Sequence, residues 1–197
     1  SSSDPNGQNF PARKHREIRS QLVAPSGYVF VAIDYGQIEA RIIGMASGDK
    51  FLCESIIDGY DIHGDWARKL ANLHPPVVGG ASFLTDKIAL KKFRTAVKNE
   101  FVFPLFYGAG RETISLATGI PFYKIDNATY DFWNMFPDVL GWQEDLKKFY
   151  EENGYVETLT GFRCRGPLQH NQIINYPIQG TASDIVVDTM VRLSKIA

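Results

Sequence analysis

Tyr28-Val29-Phe30-Val31-Ala32-Ile33 is a continuous apolar run rich in β-formers. A short run without polar interruption predicts a strand buried on both faces. It ends at Asp34. Beyond Gly36 the spacing becomes helical, with Ile38, Ile42 and Met45 on one side and Gly48-Asp49 as the stop. Helical spacing also covers roughly 51–57 and 63–73, before His74-Pro75-Pro76 and Gly79-Gly80 break the chain. A long helix is predicted from Thr85 onward. An aromatic segment near 123–132 ends around Pro137, and 139–152 reads as a further helix stopped by Asn153-Gly154. Residues 155–159 alternate, meet Thr160-Gly161 and are followed by 162–165, which predicts a β-hairpin. The last stretch, about 171–195, is mostly helical. No internal repeat appears, and this helix-heavy order with few strands predicts an α+β fold.

Of the 197 residues 44% are hydrophobic and 13% aromatic, enough for a packed core rather than a disordered chain. A formal charge of -1 argues against a uniform electrostatic coat for nucleic acid and moves attention to local patches. Cys53 and Cys164 are far apart and form neither a disulfide framework nor a zinc spacing. The longest apolar runs, 28–33 and 101–107, are too short to span a bilayer, so no membrane partner is expected. The polar, turn-rich first ten residues read as a flexible lead-in. They open on Ser1 without Met, as a fragment or processed piece would, and a reducing, cytosol-like compartment fits best.

Three constellations carry chemistry. In Asp34-Tyr35-Gly36-Gln37-Ile38-Glu39-Ala40-Arg41 a carboxylate ends a predicted buried strand, a costly place unless it is paired, capped or metal-bound. Asp34 with Gln37 three residues on is also a capping-box pattern, so a helix cap remains open. Next, Lys87, Lys91, Arg94 and Lys98 are spaced by four, three and four, placing four cations on one helical stripe. Such a stripe is either a solvated face or an anion site, and Phe101, Phe103, Phe106 and Tyr107 follow it. Charge for phosphates followed by rings for sugar and base is what a nucleotide requires. Third, Asn175, Gln179 and Ser183 fall four apart. They form a polar solvent face or a row of donors along a minor groove, whose acceptors are shared by all base pairs.

In this order the stretches resemble family A DNA polymerases, the group of bacterial DNA polymerase I and its bacteriophage relatives. Residues 34–41 are similar to motif A (DYSQIELR); Arg94, Lys98 and Tyr107-Gly108 to motif B; and 175–184 to the NxPxQGTAAD segment. Residues 1–9 are similar to the SSSDPNLQN lead-in, Asp61-Ile62-His63 to the DIH element, and 154–159 to GYVETL. The resemblance implies a right-hand polymerase: 1–60 as part of the palm, 61–150 as fingers, and 151–197 as a return to the palm. It implies magnesium-dependent transfer of deoxynucleotides to a primer 3′ end, with primer–template DNA and deoxynucleoside triphosphates as partners, in a bacterial or phage-infected cytoplasm. Asp34 and the Tyr35 carbonyl would hold magnesium. Glu39 would crowd a ribose 2′-hydroxyl, with Gln37 beside the nucleotide. His63, Arg94 and Lys98 would grip the triphosphate, Arg94 and Lys98 counting with Asp34 as catalytic. Phe103 would lie against the sugar and Tyr107 beside the nascent pair. Asn175 and Gln179 would follow the minor groove, with Asn6, Gln8 and Asn9 near the DNA backbone.

The sequence departs from the family pattern at several places. Gly36 and Ala40 replace the usual Ser and Leu. One residue too many separates Lys98 from Tyr107, and Pro104 stands where Gly is usual, so a bulge or π-type turn is expected there. The stacking ring is then Phe103 rather than Val102. Asn171 stands where many relatives carry an Arg. No HDE-like second metal motif follows Gln179; Asp184 and Asp188 match no metal position. The piece is therefore expected to be inactive alone, its thumb and remaining palm supplied in cis or in trans. A single-subunit RNA polymerase and a non-catalytic nucleic-acid-binding module are the other readings, and the bulky acid at Glu39 weighs against the first.

Overall fold

The computed structural model describes residue 17, residues 20–73 and residues 86–195. Asn6, Gln8, Asn9 and the predicted 74–80 breaker loop lie outside the described residues. The chain divides into two compact units, Ser1–Gly36 and Gln37–Ala197.

In the first unit the Tyr28 amide donates to the Pro25 carbonyl at 3.0 Å, closing the predicted Pro-Ser-Gly turn. The buried strand predicted at 28–33 does not form. These residues carry no regular structure, and Val29, Phe30 and Val31 are 82%, 69% and 75% exposed. The physical reason is that a strand, unlike a helix, satisfies none of its own backbone groups. Among the described residues the only pairing is between two later strands. Asp34 and Tyr35 are exposed at the end of this run.

The second unit is helical. Helix α1 (Ile38–Ser47) buries Ala40, Ile42, Ile43 and Gly44, while Met45, expected on the apolar side, is 70% exposed. Gln37 precedes α1 in the left-handed region at φ 55°, without a side-chain cap bond, so the capping box read into Asp34 and Gln37 is not built. Helix α2 (Lys50–Ile57) is capped by Asp49, whose carboxylate accepts from the Leu52 amide at 2.9 Å. Helix α3 (Ile62–Leu73) follows. Asp86 caps α4 (Lys87–Val97) by accepting from the amides of Ile88 and Ala89. A π-helical turn, Lys98–Val102, continues directly into α5 (Phe103–Phe106). This is where the sequence predicted a bulge. The surplus residue is absorbed as the Phe103 amide donates to the Lys98 carbonyl, five residues back.

Helix α6 (Arg111–Thr118) was not predicted from the sequence. Its pattern is weak because Ile114 is its single fully buried residue and Leu116 is 85% exposed. Helices α7 (Phe122–Met135) and α8 (Pro137–Asn153) lead to the predicted hairpin. Strand β1 (Tyr155–Glu157) pairs antiparallel with β2 (Arg163–Arg165), Val156 opposite Cys164. Helix α9 (His170–Leu193) starts on a Gln169–Gln172 capping box and carries Pro177 inside it. Helices and one small antiparallel sheet make this an α+β fold. Among the described residues no helix is long and apolar enough to cross a membrane.

The core is aromatic. Phe132 of α7 lies 4.9–5.8 Å, centroid to centroid, from Phe136, Phe106, Trp66 and Phe101. All five rings are at most 1% exposed, and at such separations tilted and edge-on rings add attraction beyond the area they bury. This cluster clamps α3 on one side and α5 on the other. The helix carrying the basic stripe is thereby fixed at its C-terminal end.

Candidate functional site

The site is built on the seam between α3 and the continuous α4–π–α5 helix. Phe101 and Val102 turn into the core, both 0% exposed, while the next ring, Phe103, packs half-buried at its edge. The His63 ring meets Phe103 edge-on at 5.4 Å. Lys98 Nζ lies 4.9 Å from the same ring, and Tyr107 stacks on it at 5.9 Å with 21° between the planes. Five side chains from two helices thus share one face: His63, Arg94, Lys98, Phe103 and Tyr107.

The electrostatics of this face are uneven. Burial pushes the His63 imidazole down to about 4, and the charges of Arg94 and Lys98 push the same way. The ring is therefore neutral near neutral pH, and its Nδ1 is buried without a hydrogen-bond partner among the described residues. Arg94 is held by an acid that the sequence stripe did not contain. Asp61 accepts from Arg94 Nε at 2.8 and 3.0 Å and from Nη2 at 2.7 Å. The guanidinium beside it holds the Asp61 carboxyl below the usual carboxylate range. Lys87 and Lys91, at the other end of the stripe, are exposed.

A second set joins the first at Tyr107. Gln179 of α9 donates from Nε2 to Glu39 Oε1 and to the Tyr107 hydroxyl oxygen, each at 3.0 Å. Burial raises the Tyr107 hydroxyl first, and the Glu39 carboxylate it bonds raises it further. Glu39, Tyr107 and Gln179 come from three elements up to 140 residues apart. Asn175 is half-buried one turn before Gln179, and Ser183 is exposed one turn after it. Gln37 is exposed at the start of α1.

Two residues that position this face were missed from the sequence. Asp61 was read only as part of a three-residue match, because its partner lies 33 residues away on another helix. Gln143 of α8, 2% exposed, donates to the carbonyls of Leu105 and Phe106 at 3.1 and 2.9 Å. Those carbonyls end the helix that presents Tyr107. A Gln in a helix of mixed polarity gives no signal of such a role. Asp184 is taken by the hairpin, where Thr160 Oγ1 donates to it, and Asp188 pairs with Arg192.

The DNA polymerase family A sequence profile matches residues 1–197, the full length of the chain. The chain belongs to DNA polymerase family A. Its curated relatives include the thermostable DNA polymerase I of Thermus filiformis, 33% identical over 98% of this chain and 23% of the relative. The DNA polymerase I of Chloroflexus aurantiacus is 32% identical over 99% of this chain and 21% of its own length. This family A chain thus spans under a quarter of those relatives. Among solved structures, the POL domain of Pol1 from M. smegmatis, in complex with DNA primer-template and dNTP, shares the fold. The TM-score is 0.72 at 24% identity, over 99% of this chain and 36% of that one.

Members of the family are in general dependent on divalent metal ions. Among the described residues no group of three or more His, Cys, Asp or Glu could hold one. Asp34 and the Tyr35 carbonyl are hard oxygen donors of the kind magnesium accepts, and they fit as part of a set completed by phosphate oxygens and water.

Proposed function

We propose that this chain is the nucleotide-handling portion of a template-directed DNA polymerase, with 61–150 as its fingers and 1–60 and 151–197 as parts of its palm. The observation that carries this reading is the shared face of His63, Arg94, Lys98, Phe103 and Tyr107. Two cations and a neutral imidazole suit a triphosphate, and the stacked rings beside them suit sugar and base. The relatives named above are DNA polymerases, and the Pol1 structure was solved with primer-template and dNTP, which favours DNA synthesis over RNA synthesis or mere binding.

In this reading the primer 3′-oxygen attacks the α-phosphate and pyrophosphate leaves. Magnesium, held in part by Asp34 and the Tyr35 carbonyl, would supply charge neutralisation at the phosphates. Arg94 and Lys98 orient the triphosphate and balance the charge of its leaving end. His63 fills the space against Phe103 without adding a third cation. Glu39, fixed by Gln179 and Tyr107, excludes a 2′-hydroxyl. Gln37, at the turn into α1, lies beside the nucleotide. Asn175 and Gln179 run along the minor groove, and Asn6, Gln8 and Asn9 meet the backbone. The enzyme would work in the cytoplasm of a bacterium or a phage-infected cell.

Primer extension tests this, using the chain joined to the remaining palm and thumb of a family A polymerase, or supplied with them in trans. Extension with deoxynucleotides should occur, fall on Asp34→Ala and on Arg94→Ala, and accept ribonucleotides on Glu39→Ala. A restored protein that extends nothing, or whose sugar selection is unchanged by Glu39→Ala, refutes the assignment it tests.

A further inference from the structure

Asp61 has no role in the reading above, yet its carboxylate is the most heavily bonded polar group on the site face. It accepts three hydrogen bonds from Arg94, and Oδ1 also accepts from the Gly64 amide at 3.0 Å, capping the first turn of α3. Asp61 thereby ties the start of one helix to the middle of another. Position 64 is shaped around it: a Cβ there would sit 2.3 Å from Asp61 Oδ2. Asp61 also meets the guanidinium on its Nε–Nη2 edge, a side-on geometry that leaves the end-on edge for a second anion. Lysine, with a single point of charge, offers no such second edge.

We propose that Asp61 is a positioning residue for triphosphate binding: it fixes the Arg94 guanidinium so that its remaining edge faces the phosphates. This rests on the nucleotide-handling reading of the same face. A carboxylate beside a phosphate site opposes the anion by its charge, so the proposal commits to pre-orientation outweighing that repulsion. An arginine side chain gives up much rotamer freedom on binding, and one already held gives up less.

The same geometry explains why His63 lies where it does. Asp61 caps the first turn of α3 and His63 belongs to it; Asp61 bonds Arg94, and His63 lies near the charges of both Arg94 and Lys98. The acid fixes one cation, and the ring supports Phe103 beside the other. The three-residue element at 61–63 is therefore a bracket for the basic stripe, with Gly64 leaving room for its carboxylate.

The experiment is equilibrium binding of inorganic tripolyphosphate and of dATP, each with magnesium, to the 197-residue chain and its variants. Asp61→Asn keeps an oxygen that can cap Gly64 but removes the charged side-on pair. It should weaken both probes by about tenfold. Gly64→Ala leaves Asp61 chemically intact but displaces its carboxylate, and should weaken both in the same sense. In an Arg94→Lys background Asp61→Asn should have little further effect, because residues acting through one another are not additive. An independent readout is the Arg94 Nε–H resonance in nitrogen-15 spectra of the unliganded chain, which should lose its hydrogen-bonded shift in Asp61→Asn.

Unchanged or tighter binding in Asp61→Asn overturns the proposal, as does a loss confined to dATP, which would place the effect at sugar or base. An undiminished effect in the Arg94→Lys background also overturns it, leaving Asp61 a helix cap only. If Arg94→Ala weakens binding while Asp61→Asn does not, this inference fails and the nucleotide-handling reading stands. If Arg94→Ala changes nothing, both fail together.

Discussion

Acidifying the protein from about pH 7 to about pH 4 should cost it stability through its depressed histidines, His170 and above all His63. The ring is pushed from 6.5 down to about 4, first by burial and then by the charges of Arg94 and Lys98. An unfolded chain binds this proton more readily than the folded one. The contribution of His63 is therefore intact above the unfolded value and is lost as pH falls through the folded one. A shift of this size corresponds to about 3 kcal/mol when fully realised, and solvent screening of a half-buried ring reduces the expected loss to about 2 kcal/mol. The carboxyl of Asp61, held low by Arg94, begins to lose its own contribution only at the acid edge of this window, and comparison with a His63 variant cancels it. Urea denaturation at both pH values, on the wild type and on His63→Gln, isolates the effect as a double difference. The wild type should lose about 2 kcal/mol more than the variant. Equal losses would mean that the ring is not held neutral by its surroundings, and the electrostatic account of the site would fail with it.

Two further outcomes follow from packing. Gly108 has φ +79°, and a Cβ on it would lie 2.3 Å from Cδ1 of Ile174, which is 0% exposed, so that methyl would have to shift within the core. Gly108→Ala should cost about 2–3 kcal/mol through strain and overpacking, seen as a lowered melting temperature; an unchanged one refutes the close approach. Phe132→Ala removes the ring on which five others converge and should cost about 3–5 kcal/mol in urea denaturation. A loss under about 1 kcal/mol would show that the core is not organised around it.

Where an element closes on itself, the sequence was a good guide. An Asp cap at the front of α2 and a glycine at the back of α8 each announce an end within one turn of chain. The strand predicted at 28–33 failed for the complementary reason: its apolar residues specify a need for partners, and no described strand pairs with it. Helix α6 was invisible because it buries little. The site shows the same division. Lys98, Phe103 and Tyr107 lie within one continuous helix and were legible as a series. The Asp61–Arg94 pair and the Gln179 bonds to Glu39 and Tyr107 join distant positions, and nothing local in a single sequence announces them. The basic stripe, read as four mutually repelling cations, is relieved at Arg94 by an acid from a different helix.

The π turn sets the angular phase between two halves of one helix. In an unbroken α-helix residues five apart point about 140° away from each other, so Lys98 and Phe103 would face different directions. With the Phe103 amide bonded to the Lys98 carbonyl, the two sit one above the other, and the ammonium comes to 4.9 Å from the ring. A residue added to an ordinary helix rotates everything after it by about 100°. Here that rotation is confined to five positions, leaving Arg94 in phase with Asp61 before it and Tyr107 in phase with Gln179 after it. Length changes elsewhere in the helix would turn one half of the site away from the other. A change of winding within Lys98–Val102 re-aims the rings after it relative to Arg94 before it, so that short stretch sets how the two halves of the site face each other.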